Sequence, residues 1–127
     1  QIPSLSEINK KDFKVLIAED NDSNFSLVQH ILFKYNLTRV KNGVEALEKS
    51  HNEQYDIILM DMKMPIMGGL EAVRKIREFD TKVPIIALTA YAFDSDRTSA
   101  MEAGCNAFLT KPLNKSQLLG LFSTKYQ

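Results

Sequence analysis

Hydrophobic residues fall along this chain in two alternating rhythms. Short unbroken apolar runs stand at 15–18, 57–60, 85–88 and 107–109, with a poorer one around 38–40. Runs of that length, apolar at consecutive positions, suit strands buried on both faces, as in a parallel sheet. Between them the apolar residues shift to helical spacing. Val28, Ile31, Leu32 and Tyr35 fall at i, i+3, i+4 and i+7, Leu70, Val73, Ile76 and Phe79 recur every three residues, and Leu118, Leu121 and Phe122 share one face. Asp22 or Ser23 is the candidate cap of the first helix and Asn114 of the last, and Gly104 is a natural stop after Ala100 and Met101. Asn42 and Gly43 read as a strand-to-helix turn and not a hairpin, because Val44 and Leu47 continue at helical spacing. Five strand–helix units predict an α/β fold on a parallel sheet. The helix around 96–103 has a thin apolar face, which leaves it either loosely docked or available to a partner.

A chain of 127 residues fits one domain. Residues 1–12 are polar and aperiodic and read as a linker or tag remnant, leaving 13–127 as the folded domain. A first residue that is Gln and not Met suggests a piece of a longer protein or a trimmed start. Lys plus Arg equals Asp plus Glu at 16 each, so no overall basic footprint marks direct nucleic-acid or anionic-membrane binding. The single cysteine, Cys105, cannot form an internal disulfide and has no zinc-spaced companions, so it reads as a small buried hydrophobe in a reducing, cytoplasmic setting. No apolar run approaches the ~20 residues of a membrane span, and no signal peptide is visible. His30 and His51 read as surface residues, and Met60, Met64 and Met67 as packing.

The placement of polar residues carries the chemistry. Glu19 and Asp20 end the first strand, Asp61 the third and Thr89 the fourth, while Lys111 lies just past the fifth. Open α/β sheets bind ligands in the crevice outside the carboxyl ends of their strands. If the three acids converge, two like charges ~4 Å apart repel by about 4 kcal/mol at an effective dielectric of ~20. Such a site must protonate, splay or take up a cation, and all-oxygen ligands favour Mg²⁺ before Ca²⁺. A cation with Lys111 and a Thr89 hydroxyl could also neutralise and orient a phosphoryl group, with Asp61 as nucleophile.

Four motifs in this order resemble the receiver (response-regulator) domain of two-component signalling from Phe13 onward: VLIAEDN at 15–21, ILMDMKMPIMGG at 58–69, IIALTA at 85–90 and FLTKP at 108–112. The resemblance implies a flavodoxin-like (βα)5 three-layer sandwich with a parallel five-stranded sheet in order 2-1-3-4-5, an arrangement for which a receiver protein is itself the standard example. It implies Asp61 as phosphoacceptor. It gives Mg²⁺ (with Mn²⁺ as a substitute) to Asp20, Asp61 and the Lys63 backbone carbonyl, with Glu19 acting through water. Thr89, Lys111 and the backbone N–H groups of Met62 and Ala90 would hold the phosphoryl oxygens. Thr89 and Phe108 match the switch positions, Lys63 and Tyr91 the positions that tune the lifetime of the phosphorylated state, and the Lys111–Pro112 bond is expected cis. Gly68 departs from the Asp or Asn often found there, which should alter the turn into the third helix and leave the chemistry intact.

The wording EDN, MDMKMP and LTAYAF is most similar to receivers attached to hybrid sensor histidine kinases. The implied partners are a histidine kinase or phosphotransfer domain as donor, with a homodimer open. The implied location is the cytoplasm, in a parent that could itself be membrane-anchored. A phosphorylation-silent interaction module of the same fold is the alternative. A haloacid-dehalogenase-type hydrolase would need an acid where Lys63 stands. A flavodoxin-like cofactor binder would need a phosphate-cradling loop where Glu19, Asp20 and Asp22 stand.

Overall fold

The computed structural model describes residues 12–90 and 93–124. Five strands, β1 (Lys14–Ala18), β2 (Asn36–Val40), β3 (Ile57–Asp61), β4 (Ile85–Thr89) and β5 (Ala107–Thr110), alternate with five helices. The helices are α1 (Asp22–Ile31), α2 (Gly43–Asn52), α3 (Gly69–Arg77), α4 (Asp94–Ala103) and α5 (Lys115–Thr124). All strand pairs are parallel and the sheet order is β2-β1-β3-β4-β5, as the motifs implied.

The continuous apolar runs are explained by two cores, one on each face. Side chains alternate across a strand, so Leu16, Ala18, Ile58, Met60, Ile85 and Ala87 pack with α2, α3 and α4. Val15, Ile17, Ile57, Leu59, Ile86 and Leu88 pack with Val28 and Ile31 of α1 and Leu118 and Phe122 of α5. A fully buried Val, Ile or Leu contributes ~1.5–3 kcal/mol and one methyl-sized group about 0.8. By that measure α4 is weakly held: it buries only Ala100 and Ala103, while Phe93 and Met101 stay 66% and 44% exposed.

The helix ends agree with the sequence in part. Asn42 caps α2 by accepting from the Glu45 N–H, Asn114 accepts from the Gln117 N–H, and Gly104 ends α4 with φ +120°. The cap of α1 is Asn21, not Asp22 or Ser23: its side chain accepts from the Asn24 N–H at 2.9 Å, one residue earlier than the sequence reading placed it. Phe79 also departs from its expected face. α3 ends at Arg77, two residues short, and Phe79 lies 43% exposed with its ring edge-on to the exposed His51. Arg77 enforces the early stop by donating to the carbonyls of Gly104 and Asp80 and to Asn106 Oδ1. The Lys111–Pro112 peptide is cis.

Cys105 is buried at the α4–β5 turn, where burial pushes its thiol up to about 11. The native protein should therefore resist iodoacetamide at pH 8 and react fully once unfolded in urea, read by intact mass. An acid with a raised folded pKa favours folding below its unfolded value, and that contribution is lost as pH rises from the ordinary ~8.5 towards the folded value. Rapid native alkylation at pH 8 would contradict this placement.

Candidate functional site

Strand register brings the tips of β1, β3 and β4 together. Ala18 lies beside Met60, Asp61 beside Leu88, and Thr89 beside Thr110. Each run stays apolar to its last turn and then ends in a polar side chain, so Glu19, Asp20, Asp61 and Thr89 emerge at one carboxyl edge. Together with Asn21, Asn24, Lys63, Ala90 and Lys111 they line a single cleft of about 240 Å³. That is below the ~300–1,000 Å³ of small-molecule cofactor pockets, which tells against a flavin-sized ligand.

Carboxylate oxygens of Glu19, Asp20 and Asp61 lie within 4.8 Å of one another. Glu19 is fully buried, Asp61 is 5% exposed and Asp20 faces solvent. Lys111 Nζ donates to Asp61 Oδ2 at 3.0 Å and sits 2.7 Å from Glu19 Oε1. The contact with Glu19 is a close ion pair that occupies Oε1. Burial pushes the Glu19 carboxyl up, against the pull of the Lys111 ammonium and with a further push from Asp61. Burial by itself would lower Lys111, but the Glu19 and Asp61 carboxylates outweigh it and hold the ammonium above its usual range. One ammonium among three carboxylates leaves negative charge that a hard dication would neutralise, and all-oxygen ligands suit Mg²⁺. The residues present therefore fit Mg²⁺.

The backbone corrects one expectation. The Met62 N–H donates to the Leu88 carbonyl at 2.9 Å and is committed to the sheet, so it does not face the cleft. The amide on the acceptor carboxylate is that of Lys63, which donates to Asp61 Oδ1 at 3.1 Å. Phe108 does not line the cleft either. It is partly buried against the α2–α3–α4 core, with the Arg97 guanidinium 5.4 Å from its ring centre. Tyr91 lies outside the described residues. Sequence reasoning missed Asn21 and Asn24, for which an Asn three residues before another N–H was the available signal. It also missed Arg39, whose Nε donates to the Glu19 carbonyl from β2.

Residues 15–122 match the family model described as the response regulator receiver domain. The chain belongs to that family. Hybrid signal transduction histidine kinase I of Dictyostelium discoideum is 40% identical over 123 residues, 88% of this chain and 7% of that protein. The polar-differentiation response regulator DivK of Brucella anthropi is 35% identical over 104 residues, covering 79% of this chain and 85% of DivK. Among solved structures, the receiver domain of sensor histidine kinase PA1611 from Pseudomonas aeruginosa PAO1 superposes with a TM-score of 0.79 at 37% identity, covering 85% of this chain and 92% of that one. That structure has a magnesium ion coordinated in its active-site cleft. This receiver domain thus spans a small part of the hybrid kinases it resembles, 7% and 3% of the first two. Among its described residues no helix is long and apolar enough to cross a membrane.

Proposed function

We propose that this receiver accepts a phosphoryl group on Asp61 from the phosphohistidine of a histidine kinase or phosphotransfer domain. The observation that carries the reading is the pairing of Asp61 with Lys111 at 3.0 Å inside a three-carboxylate cluster at the strand tips. An Asp61 oxygen attacks phosphorus, the O–P bond forms as the donor P–N bond breaks, and the imidazole leaves with the electron pair. Lys111 would offset charge on the transferred group, and the Thr89 hydroxyl and the N–H groups of Lys63 and Ala90, which line the cleft, would hold its oxygens. Asp20, Asp61 and the Lys63 carbonyl would hold Mg²⁺, with Glu19 acting through water. Bound there, Mg²⁺ or Mn²⁺ would neutralise the phosphoryl oxygens during transfer.

The added charge of about −1.5 to −2 at pH 7 would draw Thr89 inward and shift Phe108 between states, a population change read on the α4–β5–α5 face. Lys63 and Tyr91 would set the lifetime of the phosphorylated form. Residues 13–127 would be the receiver and 1–12 a linker or tag remnant, in a cytoplasmic part of a hybrid kinase. Attachment to a hybrid kinase is supported by 40% identity to one.

The test is incubation with acetyl phosphate, with and without Mg²⁺, read by intact mass. A single Mg²⁺-dependent phosphoryl adduct is expected, with Mn²⁺ able to replace Mg²⁺. No adduct under any condition would replace this reading with an interaction module that does not accept phosphoryl groups.

A further inference from the structure

Arg39 sits on the edge strand β2, outside the cleft, yet it grips the turn that carries two of the three acids. Its Nε donates to the Glu19 carbonyl at 3.0 Å. One position further along β2, the Val40 carbonyl accepts from the Glu19 N–H at 3.0 Å. Both backbone groups of Glu19 are therefore tied to β2, one through the ladder and one through the arginine. The same guanidinium reaches forward along the turn: Nη2 lies 2.8 Å from Asp22 Oδ1, in the first turn of α1. Its Cζ lies over the Phe25 ring, 4.5 Å from the centroid, and its side chain is only 19% exposed. The clamp thus brackets the turn on both sides of Asp20. Within the bracket the Asn21 N–H donates to Glu19 Oε2 at 3.2 Å, and Asn21 caps α1.

We propose that Arg39 is a positioning residue for the cation site, fixing the β1–α1 turn so that Glu19 and Asp20 converge on Asp61. This rests on the reading of the cleft as a Mg²⁺-dependent phosphoryl acceptor. A flat guanidinium is suited to the task because its Nε–H can hold a carbonyl while its charge pairs with a carboxylate on the far side, which a lysine ammonium on a flexible stem does poorly.

Charge alone predicts the opposite effect of removing Arg39, and that separates the two explanations. Arg39→Met deletes a cation and leaves Asp22 unneutralised, so electrostatics by itself would tighten Mg²⁺ binding. Loss of positioning would weaken it. The experiment titrates Mg²⁺ into the wild type, Arg39→Met and Arg39→Lys, following the backbone amide shifts of Asp20 and Lys63 by NMR. Acetyl-phosphate labelling is measured against Mg²⁺ concentration in parallel, and thermal melts without Mg²⁺ report folding. The expected result is a three- to tenfold weaker Mg²⁺ affinity in both variants. The labelling rate at saturating Mg²⁺ should stay within about twofold of wild type. Arg39→Lys keeps the charge and the aliphatic stem, so it stands as the test even where Arg39→Met melts low.

Unchanged or tighter Mg²⁺ binding in the variants would overturn the proposal. So would labelling reduced equally at all Mg²⁺ concentrations in step with a lower melting point, which is the signature of a structural role only. Failure of the wild type itself to label or bind Mg²⁺ would instead overturn the reading of the cleft.

Discussion

Asp61→Asn should abolish the Mg²⁺-dependent phosphoryl adduct and at the same time make the metal-free domain more stable. The first effect follows from chemistry: a carboxamide is not a phosphoryl nucleophile under these conditions, although it fills the same space. The second is a matter of magnitudes. Asp61 is attracted to Lys111 Nζ at 3.0 Å, about 5.5 kcal/mol at an effective dielectric of ~20. It is repelled by the buried Glu19, whose oxygen lies within 4.8 Å, by at least about 3.5 kcal/mol on the same scale, and more weakly by the solvent-facing Asp20, whose charge water screens. Repulsion together with the cost of burying a carboxylate that is 5% exposed therefore outweighs the attraction. Lys111 keeps Glu19 as a partner in the variant. A net gain of about 1 kcal/mol is expected, or ~4 °C in melting temperature for a domain of this size. Added Mg²⁺ should raise the melting point of the wild type by preferential binding to the folded state and leave the variant nearly unmoved. A variant that melts lower than wild type without Mg²⁺ would mean that the Lys111 pair, and not repulsion, dominates the site. A variant that still forms the adduct would move the acceptor away from Asp61.

Much of this arrangement is legible in the sequence because burial on both faces leaves strands no polar positions except at their ends. β1, β3 and β4 are buried along nearly their whole length, so an acid or hydroxyl at 19, 61 or 89 marks a strand tip. Elements held at edges are harder to read. β2 is largely half-buried, and its apolar signal is correspondingly weak. Phe79 keeps the three-residue rhythm of α3, but the rhythm cannot register that Arg77 ties the helix end to Gly104, Asp80 and Asn106. Contacts between residues distant in the chain leave no local pattern at all. Arg39 and Glu19 are 20 positions apart and meet only because β1 and β2 pair in a particular register. Which amide faces Asp61 is likewise a question of where the β3–β4 ladder stops. The ladder continues through Met62, so the next amide, that of Lys63, is the one that turns inward.

Gly69→Ala should be the most damaging single-methyl change at the site, although helix propensity alone predicts the reverse. Gly69 is the first residue of α3, where alanine would gain up to ~1 kcal/mol of helix propensity. Its backbone does not require a positive φ, so conformational freedom is not what glycine provides here. Close approach is. A Cβ would press on the Asp61 carbonyl oxygen and stand 2.9 Å from Met62 Cα and 2.7 Å from Met62 Cε. The Met62 methyl can swing away, but two of the three obstacles are backbone of the segment that carries the acceptor. The Gly69 N–H also donates to the Met62 carbonyl at 3.1 Å, which pins the two segments together. Overpacking against backbone costs ~1–3 kcal/mol, so a net loss of about 2 kcal/mol is expected in urea unfolding, with slower labelling because Asp61 shifts against Lys111. Gly68→Asn is the matched control. A Cβ there meets only the Met62 carbonyl at 3.3 Å, at an N-cap that now has no side-chain hydrogen bond, and replacing Gly by Asn at a cap is worth a few tenths of a kcal/mol. Equal, small effects at 68 and 69 would mean that the β3–α3 turn gives way freely and does not hold Asp61 in place.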